Sequence, residues 1–382
     1  MPFEYTPSPR PTLGIEEEYQ LCDPRSGDLV PVVDEIMRRA DPALRERLSY
    51  DLLLSLVEAN IEVSETVEEA IDRLIEKRRQ VAALAEAAGA VLGMTGTHPY
   101  AEPKEQGIVD TPDYRWVRDQ LGYVALRNIT FGLHVHVGVD DGDRAVYVAN
   151  RLRQWIGPLI AVAANSPFLD AVDTGWDAAR VYAFGAFPRA GIPPRLESYA
   201  QFAAQIDALI AAGAITKPRQ IWWNVRVHPQ YGTVEVRACD VQVSIPRTAA
   251  IVALTQALVV AYADAHRAGE PEPELVGAYL EDGRWKGMRF GLAADVIDAA
   301  TGEVLSMPAY VERMLEVAAP AAAALRTTGY LDGIRRILVE GNGATLQRAL
   351  LAECGGDLRR LQLRLLEQAR DVGIRNPEAV AG

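Results

Sequence analysis

The sequence predicts an α+β fold in which helices cover one face of a mainly antiparallel sheet. Four segments alternate apolar with polar residues in the two-residue repeat of a β-strand, namely residues 13–21, 133–140, 224–228 and 233–240. The last two are joined by HPQYG, a connection short enough for a hairpin. Longer segments elsewhere show helical spacing, so the pattern favours a sheet with one apolar face under helices.

The helical segments are predicted from apolar spacing and from capping residues. In residues 64–90, Thr66 and Glu69 have the spacing of a capping box. Pro158 should bend or shorten the predicted helix of residues 144–164, because proline lacks an amide hydrogen. The other predicted helices are residues 144–164, 197–211, 246–266, 308–325 and 346–370.

The polar sides of the four strands carry an unusual set of side chains. Glutamate, histidine and arginine predominate there, whereas a solvated sheet face usually carries threonine, lysine and serine. This composition favours a functional site on the polar face over an ordinary water-exposed surface.

Composition and charge restrict the class of protein. The 382 residues suffice for one large domain or two ordinary ones, with residues 269–274 as the nearest thing to a boundary. A net charge of −13 argues against binding nucleic acid or an anionic membrane. No apolar run reaches the ~20 residues of a membrane span, and the first residues lack a signal-peptide layout. We therefore predict a cytoplasmic protein.

The three cysteines form no CxxC pair, so we predict no disulfide framework. Cys22, Cys239 and Cys354 are interpreted as small buried side chains without a redox role.

Paired carboxylates in the first strand suggest a metal site. Glu16 and Glu18 lie two residues apart, on the same face. Adjacent carboxylates are costly to keep ionised without a cation, and hard divalent cations prefer oxygen ligands. The alternative is a pair of exposed surface glutamates.

A second acidic set occurs in the segment DLLLSLVEANIEV. Asp51, Ser55, Glu58 and Glu62 fall at helical spacing among leucines, which predicts an amphipathic helix. Its acidic side could be solvated or could face the sheet and complete a metal cluster.

His134 and His136 form an HxH pair whose imidazoles lie on one side of a strand, where they could ligate a metal or contact phosphate. HxH also opens amidohydrolase barrels, so a metal-dependent hydrolase is a rival interpretation. That rival needs further histidines on later parallel strands. The remaining His98, His228 and His266 fit this poorly.

Arg226 and Arg237 flank Glu235 and would add cations to the polar face. A planar guanidinium suits phosphate and carboxylate, although cross-strand ion pairs are the alternative. The chain has no Walker A loop and no GxGxxG motif after a strand, and it offers no serine triad or nucleophilic cysteine.

Several motifs together resemble the glutamate–cysteine ligase type 2 family of carboxylate–amine ligases, which is related in fold to glutamine synthetase. They are LGIEEEYQL (13–21), GMTGTHPYA (93–101), HVHVGV (134–139), ANSPF (164–168), DTGW (173–176), IWWNVRVHPQYGTVEVRACD (221–240), RWKGMRFGL (284–292) and GNGATLQR (341–348). The resemblance implies a curved antiparallel sheet in a single catalytic domain over residues 1–382, with a helical C-terminal portion from roughly residue 307 to residue 382.

The resemblance also implies roles for individual residues. Expected metal ligands are Glu16, Glu18, Glu58, Glu235 and His134, with Asp51 as a further acid. His134, His136 and Arg237 are expected beside the nucleotide, and Arg180, Arg226 and Arg237 near glutamate or the transferred phosphate. The implied cofactors are ATP and Mg²⁺, with Mn²⁺ as a substitute. The implied reaction activates the γ-carboxylate of glutamate as an acyl phosphate and joins it to an amine such as cysteine.

Some positions depart from the family pattern. Asn224 stands where aspartate is usual, Trp176 replaces tyrosine, and Ala178 and Ala179 replace a Ser–Trp pair. Near Ile61 the family has threonine, and Glu62 lacks a counterpart. These changes favour a second hypothesis, the same chemistry with a different amine in a specialised pathway. A catalytically silent metal or nucleotide binder is the third, and a homodimer is the default assembly.

Overall fold

A computed structural model describes residues 4–371. Its main sheet has seven strands in the order β10-β11-β5-β1-β3-β2, with β4 also paired to β1, and every pair is antiparallel. The predicted α+β class and antiparallel sheet are confirmed. In chain order the strands are β1 (Leu13–Cys22), β2 (Leu48–Ser49), β3 (Leu56–Asn60), β4 (Val91–Gly93), β5 (Gly132–Gly138), β6 (Phe168–Leu169), β7 (Val172–Asp173), β8 (Ala190–Gly191), β9 (Trp222–Trp223), β10 (Val225–His228), β11 (Thr233–Asp240), β12 (Asp295–Ile297) and β13 (Val304–Ser306).

Helices surround the sheet and extend beyond it toward the C-terminus. They are α1 (Val33–Arg39), α2 (Pro42–Arg45), α3 (Val67–Ala87), α4 (Pro112–Leu121), α5 (Tyr123–Leu126), α6 (Gly142–Leu152), α7 (Ile156–Ala163), α8 (Ala179–Phe184), α9 (Tyr199–Ala211), α10 (Ile245–Arg267), α11 (Gly277–Phe290), α12 (Met307–Ala324), α13 (Thr328–Glu340), α14 (Gly343–Glu353) and α15 (Leu358–Gln368).

Two predicted helices are interrupted in the structure. The segment 144–164 divides at a 3₁₀ turn over Arg153–Trp155. Pro158 lies after this break, in the first turn of α7, where its missing N–H is tolerated. The segment 346–370 is two helices, because Gly355 and Gly356 between them adopt positive φ values of 68° and 80°. Residues 372–382 of the predicted helical portion lie outside the described residues.

The predicted amphipathic helix over the DLLLSLVEANIEV segment is wrong. Its second half is β3, which pairs with β1 so that Glu58 lies directly opposite Glu18. A short apolar run fits the period of a helix as well as that of a strand. Here the segment forms a strand because β1 supplies its backbone hydrogen-bond partners. Leu52 and Leu53 precede the strand and are buried in the core.

The apolar face of the sheet packs against α3, α6, α7 and α10. Val135, Val137, Val225 and Val236 share one continuous core with these helices. The helix α10 is long and apolar enough to cross a membrane, but 78% of its most apolar 18-residue window is buried. It is therefore placed as the central core helix of this fold.

The cysteines are all free thiols. Cys22 and Cys239 are buried as predicted, whereas Cys354 is only partly buried. The expectation of three buried cysteines is therefore wrong at Cys354, which caps the end of α14 beside the glycine turn.

A buried ion pair joins β1 to the helical layer. Glu17 is the one charged residue on the apolar side of β1, and Arg78 of α3 pairs with it through contacts of 2.6 and 2.8 Å. The hydroxyl of Tyr19 donates to the same carboxylate at 2.6 Å. Arg78 also donates to the carbonyl oxygens of Gln242 and Val243, just before α10. The Arg78 guanidinium therefore connects α3, β1 and the segment that leads into α10.

We predict that Arg78→Met lowers the free energy of unfolding by about 3–5 kcal/mol, because Glu17 would remain buried without its counter-ion. Urea unfolding followed by circular dichroism measures the change. Arg38→Met is the matched control, since Arg38 forms an ion pair with Glu35 in which the arginine side chain is 71% exposed. That variant should lose no more than about 1 kcal/mol. Equal losses in the two variants would contradict the assigned importance of the pair.

Candidate active site

The sheet register brings the predicted site residues together on its polar face. Glu16 lies opposite His134, and Glu18 opposite Glu58. On the next strand pair, Glu235 lies opposite His136. Side chains at opposed positions of antiparallel strands share a face and contact each other, so residues far apart in sequence form one cluster.

Two groups of side chains within this cluster have the geometry of cation sites. The first is Glu16, His136 and Glu235, and the second is Glu16, Glu58 and His134. In each group the candidate ligand atoms lie within 4.8 Å of one another. Glu16 belongs to both groups, so its two carboxylate oxygens could bridge two cations.

His136 directs its Nε2 toward the first group. Its Nδ1 lies 3.0 Å from the hydroxyl of Thr233, which fixes the ring. Its Nε2 lies 3.2 Å from Glu16 Oε1 and 3.7 Å from Glu235 Oε1. Yet this nitrogen is buried and forms no hydrogen bond with any described residue. A buried imidazole nitrogen between two carboxylates fits a divalent cation, and the bond to Thr233 is the outer support such a ligand needs.

His134 occupies the centre of the face. Its Nδ1 lies 3.1 Å from Glu16 Oε2 and its Nε2 lies 3.7 Å from Glu18 Oε1. Burial, reinforced by the positive charge of Arg237, lowers the pKa of His134 to about 4. The imidazole is therefore neutral near pH 7 and can donate a lone pair to a cation or accept a hydrogen bond.

The carboxylates experience opposite electrostatic effects. Burial, followed by the charges of Glu16 and Asp51, raises the pKa of Glu58 well above its usual value. Burial and Asp51 likewise raise the pKa of Glu18 to about 7. Burial also acts to raise the pKa of Glu235, but Arg226 and Arg237 outweigh it and the pKa is lowered. The β1–β3 side thus has more negative charge than its surroundings compensate, which a divalent cation would relieve.

The arginines are held by defined partners. Arg226 donates to Glu235 Oε2 from Nε at 2.8 Å and pairs through Nη2 at 2.6 Å, while its Nη1 donates to two backbone carbonyls. Arg237 pairs with the other oxygen of Glu235. The cross-strand ion pairs considered from sequence therefore exist. Arg180, on α8, points its Nη2 to within 3.5 Å of His134 Nε2.

The model of Glutamate-cysteine ligase family 2 (GCS2) matches residues 12–366 of the chain. The chain belongs to glutamate–cysteine ligase family 2. A protein of Rubrobacter xylanophilus named "Putative glutamate–cysteine ligase 2-3" is 36% identical over 356 residues, covering 93% of this chain and 96% of that protein. The similarly named protein of Solibacter usitatus is 34% identical over 94% of both chains. The predicted family, and with it the prediction of a ligase enzyme, is confirmed.

Solved structures with the same fold support the architecture. The glutamate–cysteine ligase of Francisella tularensis in complex with AMP has a TM-score of 0.74 at 12% identity and covers 98% of this chain and 91% of its own. A bifunctional glutathione synthetase from Pasteurella multocida has a TM-score of 0.72 at 12% identity, covering 95% of this chain and 53% of its own. The antiparallel sheet of this family is incompatible with the parallel barrel that the amidohydrolase hypothesis required, so that hypothesis is wrong.

Asp51 lies beside the two candidate cation groups without belonging to either. Its carboxylate accepts from the backbone amide of Leu52 at 2.7 Å, and burial raises its pKa. Its charge acts on both Glu18 and Glu58. Asp51 therefore adds to the negative potential of the site in this ligase-family chain, while its role as a direct metal ligand stays a prediction.

Several residues that support the site could not be predicted from the sequence. Thr233 orients His136, and Asp240 with Ser166 lies beneath Arg180. Asp240 belongs to the RACD motif, but a bulge between Val236 and Cys239 breaks the alternation that would have placed it on a face. Ser166 lies in a loop, and a loop has no periodic sequence pattern from which its contact with Asp240 could be predicted.

We predict that Glu16→Gln abolishes ATP turnover and weakens Mn²⁺ binding while the fold stays intact, because Glu16 contributes to both cation groups. Glu235→Gln should also abolish ATP turnover and weaken Mn²⁺ binding, because Glu235 belongs to the group with Glu16 and His136. Calorimetric titration with Mn²⁺, turnover assays and circular dichroism provide the measurements. Glu62→Gln serves as control, since Glu62 is 41% exposed and pairs with Lys77 away from both groups. Full activity in both site variants would remove the assignment.

Proposed function

We propose that this chain is an ATP- and Mg²⁺-dependent ligase that activates the γ-carboxylate of glutamate as an acyl phosphate and joins it to an amine, such as cysteine. The observation that carries the proposal is that Glu16 belongs to both candidate cation-binding groups on one face of the sheet. Family membership supports the substrate class, and the AMP bound by the Francisella tularensis enzyme supports a nucleotide substrate.

Five residues would hold the cations. Glu16, Glu58 and His134 would form one set, and Glu235 and His136 would join Glu16 in the other. A Mg²⁺ ion held by these residues would supply positive charge to offset that of the phosphates. Mn²⁺ would serve the same ligands, because it shares the preference for carboxylate and imidazole.

The arginines bind and orient the anionic groups. Arg226 is held by Glu235 and two backbone carbonyls, so its guanidinium needs little reorganisation during the reaction. Arg237 and Arg180 each retain a buried Nε with no hydrogen bond among the described residues. Donors of this kind fit oxygens that arrive with a substrate, here carboxylate and phosphate.

The proposed ligation has two steps. A γ-carboxylate oxygen of glutamate attacks the terminal phosphorus of ATP and ADP leaves, which gives γ-glutamyl phosphate. The amine nitrogen then attacks the acyl carbon, a proton is lost from nitrogen, and inorganic phosphate leaves with the original carboxylate oxygen.

Oxygen tracing tests the intermediate. With ¹⁸O in the γ-carboxylate of glutamate and an accepted amine present, one labelled oxygen per turnover should appear in the released phosphate. Mass spectrometry of the phosphate gives the result, and unlabelled glutamate in ¹⁸O-water is the control for direct hydrolysis. Release of ADP without transfer of label would contradict ligation, and absence of all turnover with glutamate would favour the silent-binder hypothesis.

A second candidate function, the same chemistry with an amine other than cysteine, rests on Asn224. Trp223, Val225 and Val227 line the apolar side, so Asn224 and Arg226 face the polar side. The Asn224 side chain is 5% exposed, and its Oδ1 is buried without a hydrogen-bond partner among the described residues. Its backbone carbonyl accepts from the amide of Arg237 at 2.8 Å, which places the two residues side by side.

A neutral amide at this position holds an ammonium group less strongly than a carboxylate would. The difference in a closed pocket is roughly 1.5–3 kcal/mol, or about one to two decades in selectivity. Trp176, Ala178 and Ala179 also differ from the family pattern, and both alanines are buried near Arg180. We therefore expect cysteine to be a poor acceptor.

We predict that Asn224→Asp changes the ranking of amines while leaving the KM for ATP nearly unchanged. A panel of amino acids and simple amines, assayed by kcat/KM with glutamate and ATP fixed, measures the ranking. Gln201→Glu on α9 is the control for an added negative charge, because residue 201 is partly exposed and a glutamate keeps the oxygen that accepts from the amide of Glu197. If wild-type kcat/KM for cysteine reaches about 10⁴ M⁻¹s⁻¹ or more, the specialised-amine hypothesis fails and cysteine is the substrate.

The cytoplasmic location and the homodimer remain predictions of this proposal, as does the single domain over residues 1–382. A ligase that consumes ATP and glutamate requires a compartment that supplies both.

A further inference from the structure

We infer that Asp240 is a positioning residue that fixes the guanidinium of Arg180 for binding a carboxylate of the acid substrate, with Gly132 providing the space that this guanidinium occupies. The inference rests on the proposed function, because it assigns Arg180 to a substrate carboxylate. None of the motif assignments gives Asp240, Ser166 or Gly132 a role.

Asp240 ends β11 and is a buried carboxylate with one oxygen free. It is 1% exposed. Its Oδ2 accepts from the amide of Asn165 and from the hydroxyl of Ser166, each at 2.7 Å. Its Oδ1 has no hydrogen bond among the described residues and lies 3.8 Å from Arg180 Nη1. The oxygen without a hydrogen bond thus faces the arginine.

Ser166 couples the carboxylate to the helix that carries Arg180. Its Oγ donates to Asp240 and accepts from the backbone amide of Arg180 at 3.1 Å. The same arginine donates from Nη1 to the carbonyl of Arg237 at 3.4 Å. Backbone and side chain of Arg180 are therefore both held from the end of β11.

Gly132 confines the guanidinium from the opposite side. A Cβ atom on residue 132 would overlap Arg180 Nη2 and would lie 3.0 Å from His134 Nε2. Its φ is not among the positive ones, so the glycine is required here for space and not for backbone conformation. Any side chain at this position would displace the arginine from its place beside His134.

The charge balance explains why Arg180 is left available. Arg226 and Arg237 share the carboxylate of Glu235 at ion-pair distance. Arg180 is 5% exposed, and among residues 4–371 its one acidic partner at ion-pair distance is Asp240, at the longer separation of 3.8 Å. At 3.8 Å the carboxylate offsets the cost of burying the cation without occupying its hydrogen-bond donors. Its Nε, which has no hydrogen bond among the described residues, is left to donate to a carboxylate of the substrate.

Steady-state kinetics of the full chain with glutamate, ATP and an accepted amine test the inference. Asp240→Asn keeps an oxygen acceptor for Asn165 and Ser166 but removes the charge. We expect the KM for glutamate to rise about tenfold or more, because the guanidinium of Arg180 loses the ion pair that fixes its position, with the KM for ATP and kcat within about twofold of wild type. Gly132→Ala should raise the same KM, because it displaces the guanidinium from the other side.

Asp298→Asn is the matched control, a carboxylate that is 3% exposed and pairs with Arg313 at 2.7 Å, outside the site. It should lower thermal stability without changing either KM. If Asp240→Asn and Gly132→Ala fold and keep the wild-type KM for glutamate, the inference is overturned while the proposed function stands. If either variant fails to fold, the other decides. A wild-type protein that neither binds nor turns over glutamate would overturn both.

Discussion

The register of β1 between β5 and β3 is the constraint on which the site depends. Three consecutive glutamates occupy this strand, so a slip of one residue would put Glu16 and Glu18 into the apolar core and move Glu17 to the site. The core accepts one carboxylate, because Arg78 and Tyr19 satisfy Glu17. It has no second guanidinium at the neighbouring positions of β1 among the described residues. The buried pair therefore selects the one register in which the outer glutamates face His134 and Glu58.

That register produces an uneven charge distribution on the polar face. Toward β10, Glu235 is matched by two arginines and its pKa is lowered. Toward β3, Glu18 and Glu58 have no cationic partner at ion-pair distance among residues 4–371, because the nearby His134 is neutral. The site thus carries a compensated half and an uncompensated half within one sheet. A divalent cation would stabilise the uncompensated half, and Glu16 belongs to the candidate cation-binding groups of both halves.

The sequence predicted the parts of the molecule whose periodicity the structure preserves. Residues 13–21, and the part of 233–240 that precedes the bulge, alternate strictly enough that both faces and the site could be assigned from spacing. The family motifs added Arg180, which lies on a six-residue helix with no periodic signal. Glu58 was predicted as a site residue for an incorrect structural reason, since its short segment fits either period. Asp240 could not be found, because a β-bulge shifts its register and its partner Ser166 comes from a loop.

The three arginines differ in how far the protein has already neutralised them, and this difference suggests a division of labour. Arg226 is fully engaged by Glu235 and two carbonyls, so it acts chiefly as a fixed positive charge beside the first cation group. Arg237 shares the same carboxylate but keeps a buried Nε without a partner. Arg180 has the weakest compensation, because Asp240 approaches only to 3.8 Å. An incoming anion would gain most where least charge is already offset, which favours Arg180 as the contact for the carboxylate substrate of the proposed reaction.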